Sequence, residues 1–92
     1  MITIASALAG ADMILKAGRA HLLPDPFAVS FDTDRVSLQF WTLDELTAWS
    51  TYVDAPIGAH TTKRGTHHSV EAELFEQPLR LSCYVRAGVV AW

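Results

Sequence analysis

The chain has 92 residues, of which 50% are hydrophobic and 18% are charged, and its formal net charge is −3 at pH 7. This length predicts a single domain. The acidic balance argues against general binding to nucleic acids or anionic membranes, because both require clustered positive charge. With Cys83 as the only cysteine, an intrachain disulfide is excluded, and we expect a cytoplasmic protein.

The first fifth of the chain has the periodicity of an amphipathic helix, which we predict over residues 3–20. The segment lacks the basic start of a signal peptide and is too short to span a bilayer. Its many small residues predict that another backbone approaches closely, with Gly10 as one such point, while Gly18 is a candidate for the start of the C-terminal cap. Pro24 and Pro26 end the helix. The apolar stripe comprises Ile4, Leu8, Ala11, Leu15 and Leu22.

Alternating apolar and small or polar residues then predict a β-hairpin over residues 27–40. A loop at Thr33-Asp34 places Phe31 opposite Val36. The inward positions of its two strands are Phe27, Val29, Phe31, Val36, Leu38 and Phe40.

The second helix has the clearest start signal in the sequence. Thr42 and Glu45 fit a capping box, and Trp41 stands where a hydrophobic staple with Leu46 is expected. The segment 54–56, Asp-Ala-Pro, ends the helix, and its apolar stripe consists of Leu43, Leu46, Trp49 and Val53. Residues 57–66 have no apolar alternation, so we predict one long loop there.

Residues 67–86 predict a second hairpin with one buried face. Even-numbered residues from 68 to 74 and odd-numbered residues from 79 to 85 point inward. A loop at Glu76-Gln77 places Leu74 opposite Leu79. On the polar face, the same register places Glu73 opposite Arg80 and Ser69 opposite Tyr84.

These elements predict an α+β fold in the order α-β-β-α-β-β. We expect a four-stranded antiparallel sheet with both helices on one face, because that arrangement covers every apolar stripe. The single domain, 1–92, then consists of two helix-plus-hairpin units, 1–40 and 41–86, and an apolar C-terminal tail, 87–92.

Catalysis, metal binding and cofactor binding have little support in the sequence. His67 and His68 are adjacent in a strand, so their side chains point to opposite faces and cannot readily share a metal. His68 with Cys83 is an incomplete ligand pair. Since we find no glycine-rich phosphate loop, nucleophile elbow or zinc-ligand spacing, we predict no catalytic residue, cofactor or metal, and no enzyme.

The remaining polar residues predict a binding surface. The candidates lie in the loop 57–66 and on the polar sheet face: His60, Lys63, Arg64, His67, Arg80, Tyr84 and Arg86. Trp92 is the candidate contact of a homodimer, because apolar tails usually dock. We therefore expect a non-enzymatic protein–protein interaction or regulatory module. The alternative is a nucleic-acid-binding accessory factor that uses the basic loop 60–67.

Three segments of the chain, "HLLPDPFAVSF", "RVSLQFWTLDELTAW" and "HHSVEAELFEQPLRLSCYV", resemble small proteins without an assigned activity from actinobacteria and their phages or plasmids. The resemblance covers most of the sequence. It implies an accessory role connected with a phage or another mobile element, in which small proteins commonly bind a host component or one another.

Overall fold

A computed structural model of the protein describes residues 4–31 and 35–88, so the predicted Thr33-Asp34 loop and Trp92 lie outside the described residues. The described part has two helices and five strands, which confirms the α+β class. In chain order they are α1 (Ile4–Ala20), β1 (Ala28–Phe31), β2 (Val36–Phe40), α2 (Leu43–Val53), β3 (Gly58–Thr62), β4 (Gly65–Leu74) and β5 (Gln77–Arg86).

The strands form one mixed sheet in the order β1-β2-β5-β4-β3. The predicted four-stranded antiparallel sheet is therefore wrong, because β2 and β5 pair in parallel and β3 adds a fifth strand. Local patterns predict each hairpin but do not say which strand of one hairpin joins the other. β5 occupies the centre, and its neighbours on both sides bury its inward side chains as fully as those of β2: Leu79, Leu81 and Cys83.

The register of the β4–β5 hairpin differs by two residues from the predicted one. Leu74 pairs with Gln77, so the two-residue loop is Phe75-Glu76 instead of Glu76-Gln77. A shift of two preserves the face of every side chain, and the predicted inward residues do face the core. Gln77 is buried against Gly10 of α1, which explains why it belongs to the strand and not to the turn.

The predicted loop 57–66 is wrong, because most of it forms β3 and a tight turn into β4. Thr62 pairs with Gly65, and the turn between them is held by the Thr62 hydroxyl, which accepts from the Arg64 N–H at 3.2 Å. Every residue of β3 is exposed. Because neither face of this strand is buried, its sequence does not need to alternate between apolar and polar residues. The strand is stabilised by ladder pairing and by polar side-chain contacts such as the 3.2 Å hydrogen bond between Thr61 and Thr66.

Both helices pack on one face of the sheet and enclose the core. Trp49 of α2 is fully buried, and its indole N–H donates to the Pro24 carbonyl oxygen at 2.7 Å. Both hydrogen bonds of the predicted capping box between Thr42 and Glu45 are present at 3.1 Å. The core residues are Ala11, Ile14, Val36, Leu38, Phe40, Leu46, Trp49, Val70, Leu79, Leu81 and Cys83.

The close approaches predicted for α1 involve side chains of neighbouring elements. Gly10 faces the side chain of Gln77, and Gly18 faces the indole ring of Trp49. Gly18 begins the C-terminal cap of the helix, as predicted, but it is not the left-handed residue of that cap. The left-handed residue after α1 is Leu22, and the Leu23 N–H donates back to the Gly18 carbonyl oxygen at 2.8 Å.

Candidate functional site

The sheet face turned away from the helices, called the open face below, carries the polar side chains that the alternation predicts. Ser37 and Ser82 are buried even there, because they are short residues on the two central strands. The predicted members of this face are all on it: Ser30, Ser37, Gln39, Ser69, Glu71, Glu73, Arg80, Ser82, Tyr84 and Arg86.

Two aromatic rings stack at one corner of the open face. The rings of Phe27 and Trp41 lie 4.0 Å apart and nearly parallel, with 46% and 71% of these residues exposed. The interpretation of Trp41 as a staple inside the core is therefore wrong. Because the next residue, Thr42, starts the capping box, the chain turns at this point and leaves the Trp41 ring on the outside.

A local irregularity in β1 explains how Phe27 reaches the open face. Its N–H donates to the Gln39 carbonyl oxygen at 2.9 Å, while the next residue, Ala28, also pairs with Gln39. Two residues opposite one is the arrangement of a β-bulge, which rotates the side chain at the bulged position. The inward orientation predicted for Phe27 is therefore wrong.

Three further ring side chains form a row on the open face, across β3, β4 and β5 and away from the Phe27–Trp41 stack. His60 of β3 pairs directly with His67 of β4, and His67 pairs directly with Tyr84 of β5. The Tyr84 hydroxyl covers Gly65, where an added Cβ would lie 3.0 Å from it. The predicted pair of Ser69 and Tyr84 is replaced by this row, and the row depends on β3 being a strand.

Between the two sets of rings lies an open groove of about 240 Å³. Phe27 lines one side, Tyr84 and His67 line the other, and Gln39 and Ser82 lie between them. The groove therefore combines aromatic walls with amide, hydroxyl and imidazole groups that can donate and accept hydrogen bonds. Binding sites for small molecules and for side chains of a partner commonly combine apolar surface with a few polar atoms in this way.

Charged side chains flank the groove along the strands. On one side, the Glu71 carboxylate lies between two guanidinium groups, 2.9 Å from Arg35 Nη1 and 3.5 Å from Arg80 Nε. The predicted pair of Glu73 and Arg80 is therefore wrong, because the two-residue shift places Glu73 opposite Pro78. Arg80 is thus held beside Glu71 and does not line the groove.

On the other side of the groove, the open face ends in cationic residues. Lys63 and Arg64 occupy the exposed turn between β3 and β4. The Arg64 carbonyl oxygen accepts from the Ala87 N–H at 2.9 Å, which fixes the turn beside the end of β5 and next to Arg86. This end of the sheet carries three cations, and His60 and His67 lie one row away.

Cys83 lies under this surface on the core side. Burial, and to a lesser extent the Glu45 carboxylate, raise the pKa of its thiol, so it stays protonated and weakly nucleophilic. Cys83 pairs directly with His68 of β4. Within residues 4–31 and 35–88, no three histidine, cysteine or acidic side chains converge in a way that could hold a metal ion.

The structure brings together part of the predicted binding set and adds to it. His60, His67 and Tyr84 form one row, while Lys63, Arg64 and Arg86 form the neighbouring cationic end. The sequence does not show that Phe27, Gln39 and Ser82 line one groove, or that Trp41 stacks on Phe27 beside it. No local pattern joins them, because Ser82 of β5 comes beside Gln39 of β2 only through the parallel pairing of these two strands, and Phe27 reaches the groove only through an irregular pairing with Gln39.

Comparisons with protein-family models, curated proteins and solved structures find no significant match to this chain. Within the described residues, neither helix has the length and hydrophobicity that crossing a bilayer requires.

Proposed function

We propose that the protein is a non-enzymatic binding module that attaches to a partner protein through the groove on its open face. The observation that supports this proposal is the exposure of Phe27 and Tyr84 on the walls of one groove, together with the exposed Trp41 ring that stacks on Phe27 beside it. Tryptophan and tyrosine are enriched among the residues that contribute most of the binding energy at protein interfaces.

The groove suggests how a partner would be held. A side chain of the partner would lie between the Phe27 and Tyr84 rings, which supply apolar contact area. Gln39, Ser82 and His67 would orient it by hydrogen bonds. Because the Phe27–Trp41 stack is already formed, its rings lose little conformational freedom on binding, which favours affinity.

Charge on the open face supports an acidic segment as the bound part of the partner. Arg35, Arg80 and Arg86 outnumber Glu71 and Glu73 there, and the turn at one end adds two further cations. The whole chain is nevertheless acidic. This asymmetry would orient an acidic partner toward the open face and raise its association rate.

A second candidate function, binding of single-stranded nucleic acid, is favoured by the row of His60, His67 and Tyr84 beside the cationic end. Bases stack on exposed rings of a sheet, and basic side chains hold the phosphates. We rank it second because its cations are few: Lys63, Arg64 and Arg86. Fluorescence anisotropy of a labelled oligonucleotide at low and moderate salt tests it, and it fails if low salt gives no binding.

We also propose that the protein is a homodimer. Two copies would offer two grooves, which would bind a partner that carries the recognised segment twice with higher avidity. A role in a phage or another mobile element, and a cytoplasmic location, remain predictions from the sequence.

A displayed library of random linear peptides tests the protein-binding proposal. We expect selection on the wild-type protein to enrich peptides that join an aromatic or aliphatic residue to acidic residues. The same peptides should lose binding to the variant that combines Trp41→Ala with Tyr84→Ala. As a matched control, Met13→Ala removes a large exposed side chain from α1 and should bind them unchanged. The proposal fails if no peptide is enriched, or if the enriched peptides bind the double variant equally well.

A further inference from the structure

The two edge strands of the sheet differ in their chemistry. β3, at one edge, contains His60 and two threonines and leads into the Lys63-Arg64 turn. Charged and polar residues of this kind discourage a sheet edge from pairing with another chain. β1, at the other edge, consists of Ala28, Val29, Ser30 and Phe31, with no charged residue and no proline. Its protection against pairing is limited to its length of four residues and the bulge at its start, because it carries no charge and no proline.

The side chains of β1 are divided between the two faces of the sheet. Val29 pairs with Leu38 and Phe31 pairs with Val36, so both share the face of the core, yet they remain 36% and 42% exposed. Ala28 and Ser30 lie on the open face and are small. An uncharged strand with apolar residues on one face and small residues on the other is complementary to a second copy of itself.

We propose that a second copy of this chain pairs with β1 in the antiparallel direction, around a two-fold axis at Ser30. Directly opposite residues must lie on the same face, so the axis passes through one residue and not between two. With the axis at Ser30, Val29 of each copy lies opposite Phe31 of the other. Pairs of an aromatic and a β-branched residue are among the favourable cross-strand pairs, and symmetry forms this pair twice.

This arrangement deepens the proposed function by naming the contact that would join two modules. The axis is perpendicular to the sheet, so the two sheets continue into one another and both open faces lie on the same side. Two grooves would then face one partner. The dimer and the groove use different residues, and they can fail separately.

An engineered disulfide tests the proposed axis. Directly opposite residues of antiparallel strands have Cα atoms about 4.5–5.5 Å apart, which is within the range that a disulfide spans. We expect Ser30→Cys to give a covalent dimer under mild oxidation, seen on a non-reducing gel. Ala28→Cys is the matched control, because its copy would lie four residues along the strand, about 13 Å away. Cys83 is present in both variants and is buried.

Sedimentation equilibrium provides a second test that needs no oxidation. The wild-type protein should be dimeric, Phe31→Lys should be monomeric, and Thr61→Lys on the opposite edge should remain dimeric. The proposal is overturned by a monomeric wild-type protein, by equal effects of the two lysine variants, or by cross-linking of Ala28→Cys as complete as that of Ser30→Cys. Peptide affinity per chain should stay the same in Phe31→Lys, so loss of the dimer is distinguishable from loss of the groove.

Discussion

The backbone of Gly18 lies so close to the indole ring of Trp49 that a Cβ atom at Gly18 would come within 2.6 Å of two ring carbons. The ring cannot easily move, because it is buried and its N–H is bonded to the Pro24 carbonyl oxygen. We expect Gly18→Ala to lower the free energy of unfolding by about 1–2 kcal/mol, since overpacking outweighs the gain in helix propensity. Urea denaturation measures this change.

Gly10→Ala is the matched control for that substitution. A Cβ at Gly10 would approach Gln77 Oε1 at 2.7 Å, which is the far end of a flexible side chain. Alanine should therefore destabilise less there than at Gly18, because the amide end of Gln77 can shift and the higher helix propensity of alanine offsets part of the crowding. Equal losses for both variants would contradict the packing described for Gly18 and Trp49.

The turn between β4 and β5 holds two non-glycine residues in the left-handed region. Phe75 has φ 54° and Glu76 has φ 63°, a conformation that costs an L-residue with a Cβ about 1–2 kcal/mol. We expect Glu76→Gly to raise the free energy of unfolding by about 1 kcal/mol. Glu76→Ala removes the same side chain but keeps the Cβ, so thermal denaturation should show no comparable gain for it.

The capping box at the start of α2 gives a third stability prediction. The Thr42 hydroxyl accepts from the Glu45 N–H at 3.1 Å, so Thr42→Ala leaves that donor without its partner. We expect a loss of about 1 kcal/mol in chemical denaturation. Thr42→Ser keeps the hydroxyl and should retain most of the stability; a serine variant as unstable as the alanine variant would argue against the cap.

The buried thiol of Cys83 makes stability depend on alkaline pH. Burial and the Glu45 carboxylate raise its pKa in the folded protein above the ordinary value of 9.0. The stabilisation that the protonated thiol gives the folded protein is therefore fully present below pH 9.0. It decreases as the pH rises above 9.0, because the thiol of the unfolded chain loses its proton first. Denaturation series should show a smaller alkaline decrease for Cys83→Ala than for the wild type. Parallel pH profiles would contradict this assignment.

Much of the fold could be predicted where burial leaves a periodic pattern in the sequence. Val70 and Leu81 face the core as their alternation predicts, and Thr42 caps α2 as its spacing to Glu45 predicts. The same pattern does not predict which residues lie opposite one another in the β4–β5 hairpin. A two-residue shift keeps every side chain on its face, so Glu73 or Glu71 can equally be placed opposite Arg80 until tertiary contacts choose between them.

The groove could not be predicted because its parts are joined only by the tertiary fold. Phe27 reaches the open face through a bulge, and the sequence shows only the alternation that would place it inside. Trp41 has the spacing of a staple residue but points outward. The pairing of His60 with His67 has no signal in the sequence, because an edge strand exposed on both faces needs no apolar alternation and therefore resembles a loop.

The most direct test of the central claim measures the affinity of a display-selected peptide for three proteins by isothermal titration calorimetry. If the groove is the binding site, Trp41→Ala should weaken binding at least about 10-fold, which corresponds to about 1.4 kcal/mol. Met13→Ala should leave the Kd within about twofold of the wild-type value, because α1 lies on the opposite side of the sheet. Unchanged affinity in Trp41→Ala, or an equal loss in both variants, would contradict the assignment of the open face as the binding surface.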